Sequence, residues 1–366
     1  MLESHPLSVM TVDEATQAQF RLVEIASRHL PDGQILTNGD LGLAALHDGP
    51  HTTRQVEHIL AEYFGAEAAI LVRGSGTGAI REAFFVSYPP NSTVIFHRAP
   101  IYYTTNVTVQ AMAIRPHLID FNCLDSGRSY VNIDAAGAFV QHSRQRPTDA
   151  YDLGHVVGSL RDAMGDKPIV TDDNYAVLKT ARIGSQLGAD LSTFSVFKLL
   201  GPEGIGAIVG RQQLINQIHG NNRSGGAQIQ GHEAMDTLRG AVYVPVAAAI
   251  QATVTQRVAT RLNSGEVPGV ASAIAANAEE TVVLVQLDRP NAKVVIRRAA
   301  ALGAAPHPVG AESRYELAPM FYRVSKAALV EHPEWSETVV RINPSRAGDD
   351  HIIAILHEAI RTVGRG

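Results

Sequence analysis

The sequence predicts an α/β protein: a doubly wound, mostly parallel sheet domain followed by a smaller α+β domain. Three observations point there. Short Ile-, Val- and Leu-rich runs alternate with amphipathic helical patterns and Gly turns over roughly residues 50–240, the pattern of buried parallel strands joined by crossover helices. One long Ala-rich stretch, residues 238–262, then reads as a single helix ending near Asn263-Ser264-Gly265. Beyond it the patterning changes to a few strands and a terminal helix. With 366 residues the chain is long enough for two domains that bury large cores.

Taken in order, residues 1–49 read as an N-terminal arm that includes Leu36-Thr37-Asn38-Gly39-Asp40. Residues 50–255 form the large domain, with candidate strands at 68–72, 93–97, 113–119, 168–172, 191–195 and 206–209, and helices at 54–64 and 78–87 from their apolar spacing. Residues 256–366 form the small domain, with strands at 281–287, 316–324 and 339–343 and a helix at 351–362. There is no internal repeat and no low-complexity linker.

Composition removes several classes of function. Hydrophobic residues make up 45% and charged residues 18%, which is ordinary for a globular protein and unlike a disordered one. The net charge of -5 and the lack of any basic run argue against a nucleic-acid partner. A single cysteine, Cys123, excludes an internal disulfide, fits a reducing compartment and reads as a small core residue. Residues 1–20 lack a basic stretch followed by an apolar one, so no signal peptide is readable and the cytoplasm is the expected location. Residues 241–254, the longest apolar stretch, are too few for a membrane span and are interrupted by Pro245 and Gln251.

Four segments carry chemistry. Strand 68–72 runs into Arg73-Gly74-Ser75-Gly76-Thr77-Gly78-Ala79, a Gly-rich turn opening a helix, whose free amides and dipole suit a phosphate; Ser75 and Thr77 add hydroxyls. A dinucleotide fingerprint would need an acid at the end of the next strand, where Phe96-His97-Arg98 stands instead. An arginine there could still serve a phosphorylated ribose, and a plain strand-to-helix turn is the bland alternative. Asp172 and Asp173 fall where a buried strand should end, a place that binds ligands in such sheets. An aspartate there can keep a ring nitrogen protonated, and Tyr175 can reach a nearby phenolate. No His or Glu stands at ligand spacing, so no metal is expected.

Tyr102, in Ile101-Tyr102-Tyr103-Thr104-Thr105, offers a ring to stack on a planar cofactor, or a core ring. Lys198 follows the apolar run 192–197 and precedes Leu199-Leu200-Gly201-Pro202-Glu203-Gly204. A desolvated amine there is a nucleophile toward an aldehyde, a Schiff-base lysine; taken alone it also fits a lysine snorkelling from a strand end.

These four segments, in this order, resemble the fold-type I pyridoxal 5'-phosphate enzymes of the aspartate aminotransferase superfamily, and over nearly its whole length the chain is similar to the YhfS-type family within it. The resemblance implies pyridoxal 5'-phosphate as cofactor. It makes Ser75, Gly76 and Thr77 the phosphate loop, Asp172 and Tyr175 the partners of the ring nitrogen and O3', and Ser195 and Lys198 the serine and Schiff-base lysine. Tyr102 is similar to the stacking ring of the cystathionine lyase branch, and the stretch from Lys198 to Val209 resembles selenocysteine synthases.

Val340-Arg341-Ile342-Asn343-Pro344 resembles the segment whose arginine grips the substrate carboxylate, a job suited to a guanidinium fork. Gly206 stands where aspartate aminotransferases carry a phosphate-binding arginine. The resemblance further implies a homodimer with shared sites, with Arg54 and the loop 223–228 as candidates for the partner's phosphate, and a small amino acid as substrate. Its reaction is then transamination or, as the alternative, elimination by a C–S lyase; an NADP-type oxidoreductase or a nucleotide-binding protein is the contrasting class. His47, His51, His155, His219 and His232 are further candidates for the site.

Overall fold

The structure, a computed structural model, describes residues 3–42, 49–124, 134–223, 226–278, 280–309 and 312–361. The chain divides into two compact units. The larger comprises residues 13–142 and 151–245, the smaller residues 1–12, 143–150 and 246–366.

The larger unit is built from α1 (Val12–His29), α2 (His51–Phe64), β1 (Ala68–Arg73), α3 (Ser75–Ser87), β2 (Thr93–His97), α4 (Tyr103–Ala111), β3 (Arg115–Ile119), β4 (Gly137–Gln141), α5 (Leu153–Met164), β5 (Ile169–Asp172), β6 (Leu191–Ser195), β7 (Ile205–Gly210) and α6 (Gln212–Asn221). It also takes the first part of α7 (Gly231–Asn263), up to Pro245. The seven strands are ordered β1-β7-β6-β5-β4-β2-β3. β6, β5, β4, β2 and β3 run parallel, and β7 runs against both β6 and β1.

Both faces of this sheet are covered, so neighbouring residues on one strand enter different cores. In β1, Ala69 and Leu71 join α1, α2 and α7 on one side, while Ala68, Ile70 and Val72 join α3 and α6 on the other. Because β7 is reversed, β1 and β6 point the same way. The registers Arg73↔Ile205, Ser195↔Gly206 and Asp172↔Thr193 bring the carboxyl ends of β1, β6 and β5 to one edge.

The smaller unit holds β8 (Val270–Ala278), β9 (Glu280–Leu287), α8 (Ala292–Ala301), β10 (Met320–Tyr322), α9 (Lys326–Glu331), α10 (Trp335–Thr338), β11 (Val339–Asn343) and α11 (Asp349–Arg361). Its antiparallel sheet is ordered β10-β11-β9-β8. Val283, Val285 and Leu287 of β9 pack toward α8 and α11; Val282 and Leu284 face Trp335 and Val324.

Several elements differ from the sequence reading. Within the supposed arm, residues 12–29 form α1, because Leu22, Ile25 and Ala26 supply an apolar stripe that enters the core with Val56, Ile59 and Leu60 of α2. α3 begins at Ser75 rather than Gly78, after Gly74 turns in the left-handed region at φ 96. The strand expected over 316–324 shortens to β10 because Glu316 turns back to accept the amides of Val309 and Ser313. β4 and α5 occupy a stretch the pattern left unassigned, although Asp152 caps α5 by accepting from the His155 amide.

Cys123 is exposed, which corrects its reading as a core residue. It lies in the short turn Phe121–Cys123, where Phe121 is the side chain that goes inward. Among the described residues no helix is long and apolar enough to cross a membrane.

Candidate active site

The edge where β1, β6 and β5 end carries a connected polar site. At the end of β1 the amides of Gly74 and Ser75 both donate to the Gly204 carbonyl, at 2.8 and 3.1 Å, tying the loop to the β6–β7 connection. Ser75 itself sits at φ 58. The first-turn amides of Gly76 and Thr77 have no carbonyl one turn earlier within α3, and they mark its positive end. Around them, the Ser75 and Ser195 hydroxyls are 2.6 Å apart, and Thr77 Oγ1 donates to Thr104 Oγ1 at 3.1 Å. Amides and hydroxyls at the start of a 13-residue helix form a cradle for an anion such as a phosphate.

Gly206 backs this cradle. A Cβ there would lie 2.2 Å from the Ser75 carbonyl oxygen, so β7 can pass behind the loop only as glycine. That contact excludes a side chain of any kind, arginine included, at Gly206.

Asp172 ends β5 and is buried. Its Oδ1 accepts from the Asn174 amide at 3.0 Å and from Asn174 Nδ2 at 2.6 Å; among the described residues its Oδ2 accepts nothing. Burial pushes the carboxyl above the ordinary aspartate range, although the Asn174 bonds and the charge of Lys198 pull the other way. Asn174 Oδ1 in turn accepts from the Ser195 amide at 2.9 Å, and a Cβ on Gly76 would come within 2.7 Å of the same oxygen. Asn174 thus stitches together the ends of β5 and β6 and the start of α3.

The neighbouring Asp173 goes elsewhere. Fully buried, it accepts from Thr171 Oγ1 at 2.5 Å, His142 Nδ1 at 2.7 Å and the Gly184 amide at 3.1 Å. Of the two aspartates, Asp172 is the one turned toward the loop and lysine.

Tyr175 lies in the turn after β5, in the left-handed region at φ 63. The half-buried Lys198, in the short turn Phe197–Leu199, holds its Nζ 3.7 Å from the centre of the Tyr175 ring. Tyr102 caps the start of α4, with its carbonyl accepting from the Asn106 amide at 2.9 Å and its side chain partly exposed. The Thr77–Thr104 bond sets that helix start against the phosphate loop.

Ser75, Gly76, Thr77, Asp172, Tyr175, Ser195 and Lys198 therefore meet at one sheet edge, with Tyr102 beside them. Arg341 lies in β11 of the smaller unit, buried, with Nη2 bonded to Glu280. Its guanidinium carbon is 4.6 Å from the Tyr322 ring centre, and the Tyr322 hydroxyl also donates to Glu280.

Asn174 and the His142–Asp173 pair escaped the sequence reading. An amide two residues after a strand-end aspartate was the available signal for Asn174; none existed for His142, which is 31 residues from its partner. His47 and part of the loop 223–228 lie outside the described residues. His155 Nε2 donates to the Leu124 carbonyl at 2.6 Å, and the His51 amide donates to Asp40 at 2.8 Å. His219, Arg54 and Arg223 line a separate cleft of about 380 Å³.

Two family models match the chain: YhfS-like, C-terminal domain, over residues 256–356, and Aminotransferase class-V over residues 166–242. An Escherichia coli (strain K12) protein described as uncharacterized protein YhfS is 45% identical over 363 residues, spanning 99% of this chain and all of its own. A crystal structure of the pyridoxal-5'-phosphate dependent protein YhfS from Escherichia coli superposes with a TM-score of 0.95 at 44% identity, covering 99% of this chain and 100% of that one. A cystathione gamma lyase from Micromonospora echinospora superposes with a TM-score of 0.66 at 16% identity over 85% of this chain and 86% of its own. That last likeness is one of fold alone.

Proposed function

The chain belongs to the YhfS family, and from that premise we propose that it is a pyridoxal-phosphate-dependent enzyme acting at the α-carbon of an amino acid, with transamination as its reaction. The observation that carries this reading is the meeting of Lys198, Tyr175, Asp172 and the Ser75–Thr77 cradle at one edge of the sheet. The residues fit the cofactor. A Gly-backed cradle suits its phosphate, and Asp172 keeps Oδ2 open for a ring N–H. When bound, pyridoxal phosphate supplies an electron sink for charge that develops at the substrate Cα.

The chain's own residues supply the rest. The carboxylate of Asp172, steadied by Asn174, holds a proton on the ring nitrogen; this new cationic partner favours its charged form and offsets the upward push of burial. The Tyr175 hydroxyl would pair with the phenolic oxygen, and Ser75, Thr77 and Ser195 would hold the phosphate. Lys198 Nζ would hold the cofactor and is the amine placed to move the Cα proton. Arg341 is the proposed ligand of the substrate carboxylate, which would compete with Glu280 for the guanidinium. A second copy of the chain completes each site, with Arg54 and Arg223 as its candidate phosphate ligands.

The class-V aminotransferase match over 166–242 supports transamination. Tyr102, a partly exposed ring at the start of α4 beside the cradle, favours a second reading, elimination by a C–S lyase. An absorbance scan of the purified protein tests the common core. A yellow band lost on borohydride treatment, with cofactor mass added at Lys198, is expected. Protein that stays colourless with added pyridoxal phosphate overturns it. A panel of amino acids with 2-oxo acids then separates new amino acid from ammonia plus ketoacid.

A further inference from the structure

Lys198 sits on a turn whose backbone is held under strain. Leu200, which ends the turn Phe197–Leu199, is in the left-handed region at φ 58 and ψ 12, where bulky side chains seldom go. The amides of Leu199 and Gly201 both donate to the Val196 carbonyl, at 2.8 and 3.2 Å, and the Val196 amide donates to the Ile205 carbonyl at 3.0 Å. Strained backbone that its surroundings over-determine gathers at functional sites.

A further constraint comes from α7. Gly240 is buried in the interior of that helix, where glycine is a poorer helix former than alanine. A Cβ there would lie 2.6 Å from the Leu200 carbonyl carbon and oxygen and 2.8 Å from the Gly201 nitrogen. Those atoms are the peptide that closes the lysine turn. Helix and turn therefore meet backbone to backbone, and backbone yields less readily than the end of a side chain. Around the contact, Val196 and Leu199 share a core with Met235, Leu238 and Ala241 of α7.

The helix is also tied to the phosphate loop. Glu233, in its first turn, accepts from Arg73 Nη2 at 2.7 Å, and Arg73 directly precedes Gly74. One end of this segment of α7 is thus anchored beside the cradle, and Gly240 rests on the lysine turn. Gly158 makes the contrast: it lies inside α5, with nothing within 4 Å of its Cβ position.

We propose that Gly240 is a positioning residue for Lys198: the close approach of α7 at this one position fixes where the lysine turn stands relative to the phosphate loop, and so the reach of the Lys198 amine to the cofactor aldehyde. The proposal rests on the reading of Lys198 as the cofactor lysine. A methyl group at position 240 must part α7 from the Leu200–Gly201 peptide. Misplacing reacting atoms by about 1 Å can cost about 10²-fold in rate.

The test compares two forms of the cofactor on full-length native, G240A and G158A protein freed of aldehyde with hydroxylamine. Pyridoxal phosphate gives the yellow band only by bonding to the Lys198 amine. Pyridoxamine phosphate carries an amine in place of the aldehyde and binds without that bond. G240A should form the band about tenfold more slowly than native protein, while its pyridoxamine phosphate affinity, read by calorimetry, stays within about twofold. G158A should match native protein in both. A G240A that forms the band at the native rate overturns the proposal. So does one that loses pyridoxamine phosphate affinity by the same factor, which would make Gly240 a packing residue of the whole site.

If G240A fails to fold, the double variant L200G/G240A replaces it, measured against L200G alone. Glycine at position 200 adopts φ 58 without strain, so the turn gives way and α7 keeps its place. The same slowing is expected of the double variant, and its absence overturns the proposal. Borohydride trapping on the native protein is read separately. A native Lys198 that is never trapped sinks the cofactor reading and the proposal with it; a trapped Lys198 with an unchanged G240A sinks the proposal alone.

Discussion

In the larger unit Asp172 lies near the half-buried Lys198 and the Tyr175 ring; in the smaller unit Glu280 lies against Arg341 and the Tyr322 ring. Each cluster combines a carboxylate, a cation and a tyrosine. Among the described residues, Asp172 satisfies only Oδ1, through Asn174. Glu280 receives both the guanidinium and the Tyr322 hydroxyl on one oxygen, with Arg341 and Glu280 almost wholly buried. The first arrangement keeps acceptor capacity for a ligand. The second commits its carboxylate to a buried guanidinium, and a buried ion pair is costly to break from one side.

The comparison is sharpest if the first cluster governs activity and the second stability. Lys198→Ala should lower turnover by about 10⁴-fold, the upper range for a positioned proton-transfer group, while leaving the melting temperature within a degree or two of native. A parallel melt and assay checks both. Turnover that survives would remove Lys198 from the chemistry.

Arg341→Met should cost about 3–5 kcal/mol by leaving the buried Glu280 charge uncompensated. A denaturant melt reads it. The double variant with Glu280→Gln should recover most of that loss. Its KM then settles the arginine's part: a rise of about tenfold or more means that Arg341 grips the substrate carboxylate, and an unchanged KM confines it to Glu280.

What could be read from the chain follows the same division. The loop 75–79, Asp172 with Tyr175 and Ser195 with Lys198 are each contiguous runs at a strand end, so local spacing sets their geometry once β1, β5 and β6 are recognised. Arg341 was legible as a residue but not as half of a pair, because Glu280 is 61 positions away on a neighbouring strand. Asp173 is chemically identical to Asp172 in sequence, and what separates them is distant: His142 and Gly184 hold Asp173, 31 and 11 positions away. The fold was readable where apolar runs alternate with helices. It was less so at β4, a five-residue strand, and at residues 143–150, which join the smaller unit from the middle of the chain.

A third buried carboxylate lies between the two extremes. Glu57 of α2 accepts the Leu71 amide of β1 at 2.9 Å, with Arg54 3.4 Å and His219 3.8 Å from its other oxygen. Burial dominates and pushes it up to about 7 from an ordinary 4.5. A carboxyl raised in the folded state binds its proton more tightly there. Its contribution is complete below pH 4.5 and is lost as pH rises through 7, to the extent of about 3 kcal/mol. Melts across that window should show stability declining with pH in the native protein and a flatter profile in Glu57→Gln. Parallel slopes would mean that Arg54 and His219 already compensate the charge.

Asn174 offers the smallest and most discriminating effect. Its side chain donates to Asp172 and accepts from the Ser195 amide, and it packs where a Cβ on Gly76 would fall. Asn174→Ala removes both side-chain bonds but keeps the backbone amide that still donates to Asp172. The stability cost should be about 1–3 kcal/mol, mostly from the buried Ser195 amide left without its acceptor. Asp172 loses one of the two bonds that favour its charged form, so its carboxyl should move further up. If Asp172 serves the cofactor ring, pyridoxal phosphate affinity should weaken and the weakening should deepen as pH falls. Asn174→Asp places a third carboxylate beside Asp172 and Asp173 and should exaggerate both trends. Cofactor binding measured against pH for the two variants distinguishes a support for Asp172 from a simple brace between strands, which would lower stability and leave the pH dependence unchanged.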